Sequence, residues 1–149
     1  MTAKEYLGQL IDLDKDIDRK QQRLATLRDI VVNTTPTYGG ETVQHSREKN
    51  PLEKIMTKIV DLDREIDKDI DRLVDFKAEV WEQLEVLNNE RYIRVLWLRY
   101  AERKTWKFIA ENMGFTSRYV RKLHDKAMDC LETLKKTNCV PPEIHLSSS

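Results

Sequence analysis

The chain has 149 residues, with 26 Lys/Arg balanced against 26 Asp/Glu, three histidines and two cysteines. That length allows one large domain or two small units, and neither half can bury a sizeable globular core, so extended helices are the expected alternative. Cys130 and Cys139 fit a reducing compartment and exclude a disulfide framework, while no cleavable signal pattern or long apolar run supports export or membrane insertion.

The first predicted element is a long helix. Tyr6, Leu10, Leu13, Ile17, Lys20, Leu24, Leu27 and Val31 advance by alternating four and three residues, and only Lys20 interrupts the apolar rule. Such a series predicts a coiled-coil seam. From Asn33 to Asn50 neither helical nor strand periodicity survives, and Thr34-Thr-Pro-Thr-Tyr-Gly-Gly40 reads as a flexible loop. Asn50 can then cap a new helix, with Pro51 at its first position and Glu53 complementing the positive helix end. Its seam is Leu52, Ile55, Ile59, Leu62, Ile66, Ile70, Leu73, Val80, Leu84 and Leu87, with an irregular step near Asp69. An antiparallel helical hairpin over residues 1–88 is the expected arrangement, with pairing between chains as the competitor.

Within that hairpin Leu10-Ile-Asp-Leu-Asp-Lys-Asp-Ile-Asp-Arg19 aligns with Ile59-Val-Asp-Leu-Asp-Arg-Glu-Ile-Asp-Lys68 at an offset of 49 residues, five positions being identical. Duplication and convergence on coiled-coil chemistry both account for it. The alternating Asp12, Asp14, Asp16 and Asp18 resemble a calcium loop only superficially. On a helix they splay around the cylinder, and the loop's central glycine and terminal glutamate are missing, so a solvated face is expected and no metal site.

Asn88-Asn89 breaks the pattern and opens a second domain, 89–136. A helix from about Glu90 to Ala101 places Ile93, Leu96, Trp97 and Tyr100 on one side. Thr105 can cap the next helix, in which Trp106, Ile109, Ala110 and Met113 repeat at helical spacing. Gly114 suits the left-handed backbone of a tight connection, Phe115 plugs the corner, and Thr116 caps a last helix with the buried stripe Val120, Leu123, Ala127, Leu131 and Leu134. Its outer face carries Ser117, Arg118, Arg121 and Lys122, a composition that suits base edges and phosphates in a major groove. Residues 91–136 hold 12 Lys/Arg and 5 Asp/Glu, net +7, leaving 14 and 21, net −7, in the remainder. The basic module can neutralise phosphates, whereas the acidic part would repel them. Residues 137–149, with Val140-Pro-Pro142 and Ser147-Ser-Ser149, read as a disordered tail.

The run Arg94-Val-Leu-Trp-Leu-Arg-Tyr100, then Thr105 with Ile109-Ala110, then Gly114-Phe-Thr116 with Val120 and Ala127, resembles the fourth conserved region of bacterial sigma factors. The resemblance covers Tyr92 to Leu134, 43 residues. It implies a helix-turn-helix in which Ser117, Arg118, Arg121 and Lys122 read bases, while Arg99, Thr105 and Lys126 lie near the DNA backbone. Housekeeping factors usually carry arginine and glutamate where Ser117 and Arg118 stand, so their usual promoter element is not the implied target. The opening Met-Thr-Ala-Lys-Glu-Tyr-Leu7 and the segment Ile70-Asp-Arg-Leu-Val-Asp-Phe-Lys77 are also similar to small phage and prophage proteins of Gram-positive bacteria. That similarity implies a transcription regulator in the cytoplasm of the host cell.

An all-α, non-enzymatic, cofactor-free chain is therefore expected. His124 sits between Lys122, Asp125 and Lys126 without a nucleophile or pocket and reads as an exposed helix histidine. Gly39-Gly40 lacks the context of a nucleotide loop, and Cys130, Cys139 and His145 lack zinc-type pairing. Trp81, Trp97 and Trp106 fall within amphipathic patterns and read as packing anchors. The expected partner is double-stranded DNA, bound by Arg118, Arg121 and Lys122 with Ser117 tuning base choice and Thr105, Lys107 and Lys126 on phosphates. Homodimerisation through the long helices and contact with RNA polymerase complete the expectation. A protein-binding adaptor is the alternative.

Overall fold

The computed structural model describes residues 1–34 and 51–137, all-helical with no strand among them. In chain order the elements are α1 (Ala3–Thr34), α2 (Pro51–Glu85), α3 (Glu90–Leu96), a π-helical turn (Trp97–Ala101), α4 (Trp106–Met113) and α5 (Ser117–Thr137). The predicted loop begins later than its sequence suggests, since α1 continues through Thr34; the rest of that loop, the capping Asn50 and the predicted tail from Asn138 lie outside the described residues.

By internal contacts the chain divides into Leu13–Leu73 and a second unit made of Met1–Asp12 and Val74–Ser149. The sequence suggests one division at residues 88/89 instead. The two long helices contribute to both units: Leu7, Leu10, Val80 and Leu84, at 0 to 1% exposure, belong to the second.

In the unit Leu13–Leu73, Leu24, Leu62 and Ile66 form a buried cluster against which Leu27 and Ile59 pack. Lys20, the lone charge in the first helix's apolar series, meets Asp69, the irregular step in the second, at 2.6 Å. Lys20 also lies 3.0 Å from Glu65 and 3.6 Å from Asp16, and Arg72 stands 3.7 Å from Asp69. Arg28 reaches Asp63 at 4.0 Å, so ascending positions on α1 pair with descending positions on α2 and the segments run antiparallel. Hydrogen bonds from Asp69 and Glu65 hold the Lys20 ammonium well above the usual lysine pKa. The two breaks in the apolar pattern thus answer each other.

In the second unit, α1 starts with a reciprocal cap. Thr2 Oγ1 accepts from the Glu5 backbone N–H at 3.1 Å, and Glu5 accepts from the Thr2 backbone N–H at 3.3 Å. The Ala3 N–H donates to Glu132 on α5 at 2.6 Å, bringing a carboxylate to the positive end of α1. Tyr6 meets Phe76 edge to face at 5.4 Å and donates to Glu79 at 3.1 Å. After α2, Asn88 takes a left-handed backbone (φ 52°), which asparagine tolerates better than most residues. Asn89 then caps α3 by accepting from the N–H groups of Arg91 and Tyr92.

Instead of one α-helix to Ala101, the chain widens after Leu96 into the π turn, where the Glu102 N–H reaches the Trp97 carbonyl at 3.1 Å. The extra residue lets Leu98, Tyr100 and Ala101 all be buried along with Val95 and Leu96. Helices α3 and α4 both pack on α5, whose Val120, Leu123, Ala127 and Leu131 are at most 6% exposed. No helix among the described residues is long and apolar enough to cross a membrane.

Candidate nucleic-acid interface

Thr105 holds extended backbone (ψ 160°) and its hydroxyl accepts from the Phe108 N–H at 3.1 Å, which starts α4. Gly114 ends it at φ 75°, and the Phe115 N–H returns to the Ala110 carbonyl at 2.9 Å. An L side chain at that left-handed φ would be strained, although the space around the missing Cβ is open. Thr116 Oγ1 then accepts from the Tyr119 N–H at 3.1 Å and starts α5. The Phe115 ring meets Tyr119 at 4.8 Å and lies under the Arg91 guanidinium at 5.4 Å, so the corner is filled as its sequence suggests.

On α5, Arg118, Arg121 and Lys122 are exposed and Ser117 is half-buried. The spacings of three and four residues set the three cations on one side of the helix, away from the stripe that packs inward. Lys107 on α4 and Lys126 further along α5 are also exposed. Among the described residues, none of Arg118, Arg121 and Lys122 takes part in an ion pair, so their charge is available to an outside anion.

Arg99 differs from the other candidate cations. It is half-buried, donates to the Lys104 carbonyl at 3.0 Å and stacks over Trp106 at 4.1 Å. The Arg121 guanidinium lies over the same indole at 5.7 Å, so Trp106 brings together one cation from the π turn and one from α5. The residue behind this arrangement is His124, whose expected exposure is incorrect: its side chain is only 12% exposed. The ring stacks on Tyr100 at 5.6 Å and meets Trp106 edge to face at 5.1 Å. Its Nε2 lies 2.9 Å from the Tyr100 hydroxyl and its Nδ1 lies 3.1 Å from Asp125. These contacts suit the neutral tautomer, with Nδ1–H donating to Asp125 and Nε2 accepting from Tyr100. Burial holds the imidazole below its usual pKa, against the opposing pull of Asp125. The sequence does carry a sign of this. His124 follows Val120 by four residues and precedes Ala127 by three, so it borders the inward stripe, whereas charged neighbours in sequence point elsewhere on a helix.

No family model, curated protein or solved structure matches the chain. Geometry and charge therefore carry the assignment of this surface. A second feature of the same unit is an open groove of about 780 Å³ beside the corner, with Trp81, Ile93, Trp97, Met113 and Phe115 in its lining. Trp81 meets Trp97 edge to face at 5.1 Å yet remains 41% exposed. Glu85, Glu90, Arg91, Arg94 and Glu102 also line the groove, and Glu102 accepts from the Trp97 indole N–H at 3.2 Å.

Proposed function

We propose that the chain is a sequence-specific, double-stranded-DNA-binding transcription regulator of phage or prophage type, without enzymatic activity. In this reading α4 and α5 form a helix-turn-helix like that of sigma region four, and α1 and α2 form a coiled-coil hairpin. The observation that carries it is the left-handed Gly114 corner leading into a helix whose first two turns expose Arg118, Arg121 and Lys122 without ion-pair partners among the described residues. Such a helix can enter a major groove, with arginines reaching guanine edges and lysine a phosphate. Ser117 would tune base choice, and Thr105, Lys107 and Lys126 would orient the module on the backbone. The unit's positive charge supplies the salt-dependent part of the affinity.

The test is selection of bound fragments from the source genome at two salt concentrations, beside an Arg118→Ala/Arg121→Ala variant. A selected site lost in the variant is the expected result; binding indifferent to sequence in the parent protein would reject the reading. On the selected site, Arg121→Ala alone should cost about 1 to 3 kcal/mol if it reads a guanine.

The exposed aromatic groove favours a second reading, in which the chain is an adaptor that engages a protein such as RNA polymerase. A pull-down that survives charge reversal at Arg118 and Arg121 but is lost in Trp81→Ser would favour the adaptor. Dimerisation through the long helices would present two recognition helices to a repeated site. Sedimentation as a monomer both free and on DNA would defeat that part.

A further inference from the structure

We propose that Trp106 is a positioning residue for base recognition, which fixes the guanidinium of Arg121 before DNA arrives; the inference rests on the DNA-binding reading. Arg121 is an exposed, long side chain on the second turn of α5, and reading a guanine requires its planar fork to be aimed correctly. Left in solvent, such a side chain samples many rotamers and loses that freedom on binding. A flat ring beneath the guanidinium reduces the number of orientations while leaving its N–H groups free to donate outward.

Trp106 is itself held in place. It opens α4 directly after the Thr105 cap, so its backbone is fixed by the first helical turn. His124 presses edge to face against the indole, and the Tyr100 hydroxyl and Asp125 carboxylate fix the imidazole. Arg99 lies over the same indole and is tied to the Lys104 carbonyl. The Tyr100–His124–Trp106 stack thus runs from the buried side of the π turn to the exposed cation. Tryptophan suits this place better than a core aliphatic because its ring face attracts guanidinium as well as filling space.

The experiment compares Trp106→Phe, Trp106→Leu and Arg121→Lys with the full-length parent protein. Binding is measured to the selected site, to that site with the Arg121-read base changed, and to unrelated DNA. In Trp106→Leu, discrimination between the first two sites should fall about tenfold, with binding to unrelated DNA unchanged. Trp106→Phe, which retains a ring, should recover most of the discrimination, and Arg121→Lys should behave like Trp106→Leu. In an Arg121→Ala background, Trp106→Leu should have no further effect. NMR of the free protein gives a separate reading: ring-current shifts of the Arg121 δ protons should survive in Trp106→Phe and vanish in Trp106→Leu.

Losses that multiply in the double variant, or a phenylalanine variant no better than leucine, would overturn the positioning role and leave Trp106 as a packing residue. If the parent protein selects no site at all, the DNA-binding reading falls and this role falls with it. That result is distinguishable because it appears before any variant is compared.

Discussion

The two units use charge in opposite ways. In Leu13–Leu73 the apolar face between two antiparallel segments contains Asp69, the only charged residue among the buried described ones, opposite Lys20. In the other unit the core of Leu7, Leu10, Leu84, Leu96, Ile109 and Leu131 is closed to below 2% exposure, and charge is confined to the rim and the outer face of α5. Two helices alone cover each other along a narrow strip, and many sliding arrangements of such a strip are nearly equal in apolar contact. A single Lys–Asp pair separates the correct register from its neighbours. Where α3, α4 and α5 pack at angles, side-chain shape already allows one arrangement, and a buried charge would add only a desolvation cost.

Truncating the closed core should give the largest effect. Leu96→Ala is expected to destabilise the chain by about 3 to 5 kcal/mol, while Leu24→Ala in the narrow seam should cost nearer 2 kcal/mol because its surroundings are partly open to water. Urea unfolding followed by circular dichroism gives both numbers, and equal losses would show the two cores to be closed alike. A smaller change is expected from the seam pair. Lys20→Met should lower the urea midpoint by leaving Asp69 with only the more distant Arg72, whereas Lys20→Met/Asp69→Leu should return it to the parent value or above. The double variant should also lose uniqueness of pairing, visible as broadened amide resonances in Leu13–Leu73. A double variant no more stable than the single would indicate that the pair supports the fold by more than mutual compensation.

The smallest effect belongs to His124. Burial depresses its pKa in the folded chain, so the unfolded chain takes up a proton first as pH falls. Its stabilising contribution is therefore present above the ordinary histidine value of 6.5 and declines below it, until the folded-state pKa is passed. Thermal midpoints taken from about pH 7.5 down to about pH 5 should fall for the parent chain and fall less steeply for His124→Gln. Parallel curves would remove His124 from the acid sensitivity of this unit.

These contrasts also explain what the sequence could reveal. Periodicity suffices for helices because a face needs only repetition: the inward stripes of α2 and α5, the Thr105 and Thr116 caps and the Gly114 corner all follow from local rules. The Thr2–Glu5 cap was equally legible as a Thr-x-x-Glu signature ahead of an apolar run. Lys20 and the step at Asp69 are each visible as irregularities, but nothing local indicates that they meet across two helices. Likewise Ser117, Arg118, Arg121 and Lys122 can be assigned to an outer face by spacing. The joining of Arg99, Trp106, His124 and Arg121 depends on how three elements cross, and the π turn that presents Arg99 and Tyr100 has no pattern of its own. The assignment of His124 to solvent failed because it weighed chain neighbours over angular position.

The π turn also makes the chain unusually sensitive to length at one place. A π turn contains one residue more than the α-helical turn it replaces. Deleting a single residue between Trp97 and Ala101 could therefore be absorbed as a regular helix without breaking the chain's path. Everything beyond the deletion would then be rotated by about 100° relative to α3, the angular step of one helical residue. Secondary structure measured by circular dichroism would hardly change, yet the unit would have exchanged its inner and outer surfaces at this joint. A one-residue change in chain length there acts as a rotary setting, independent of which amino acid is lost.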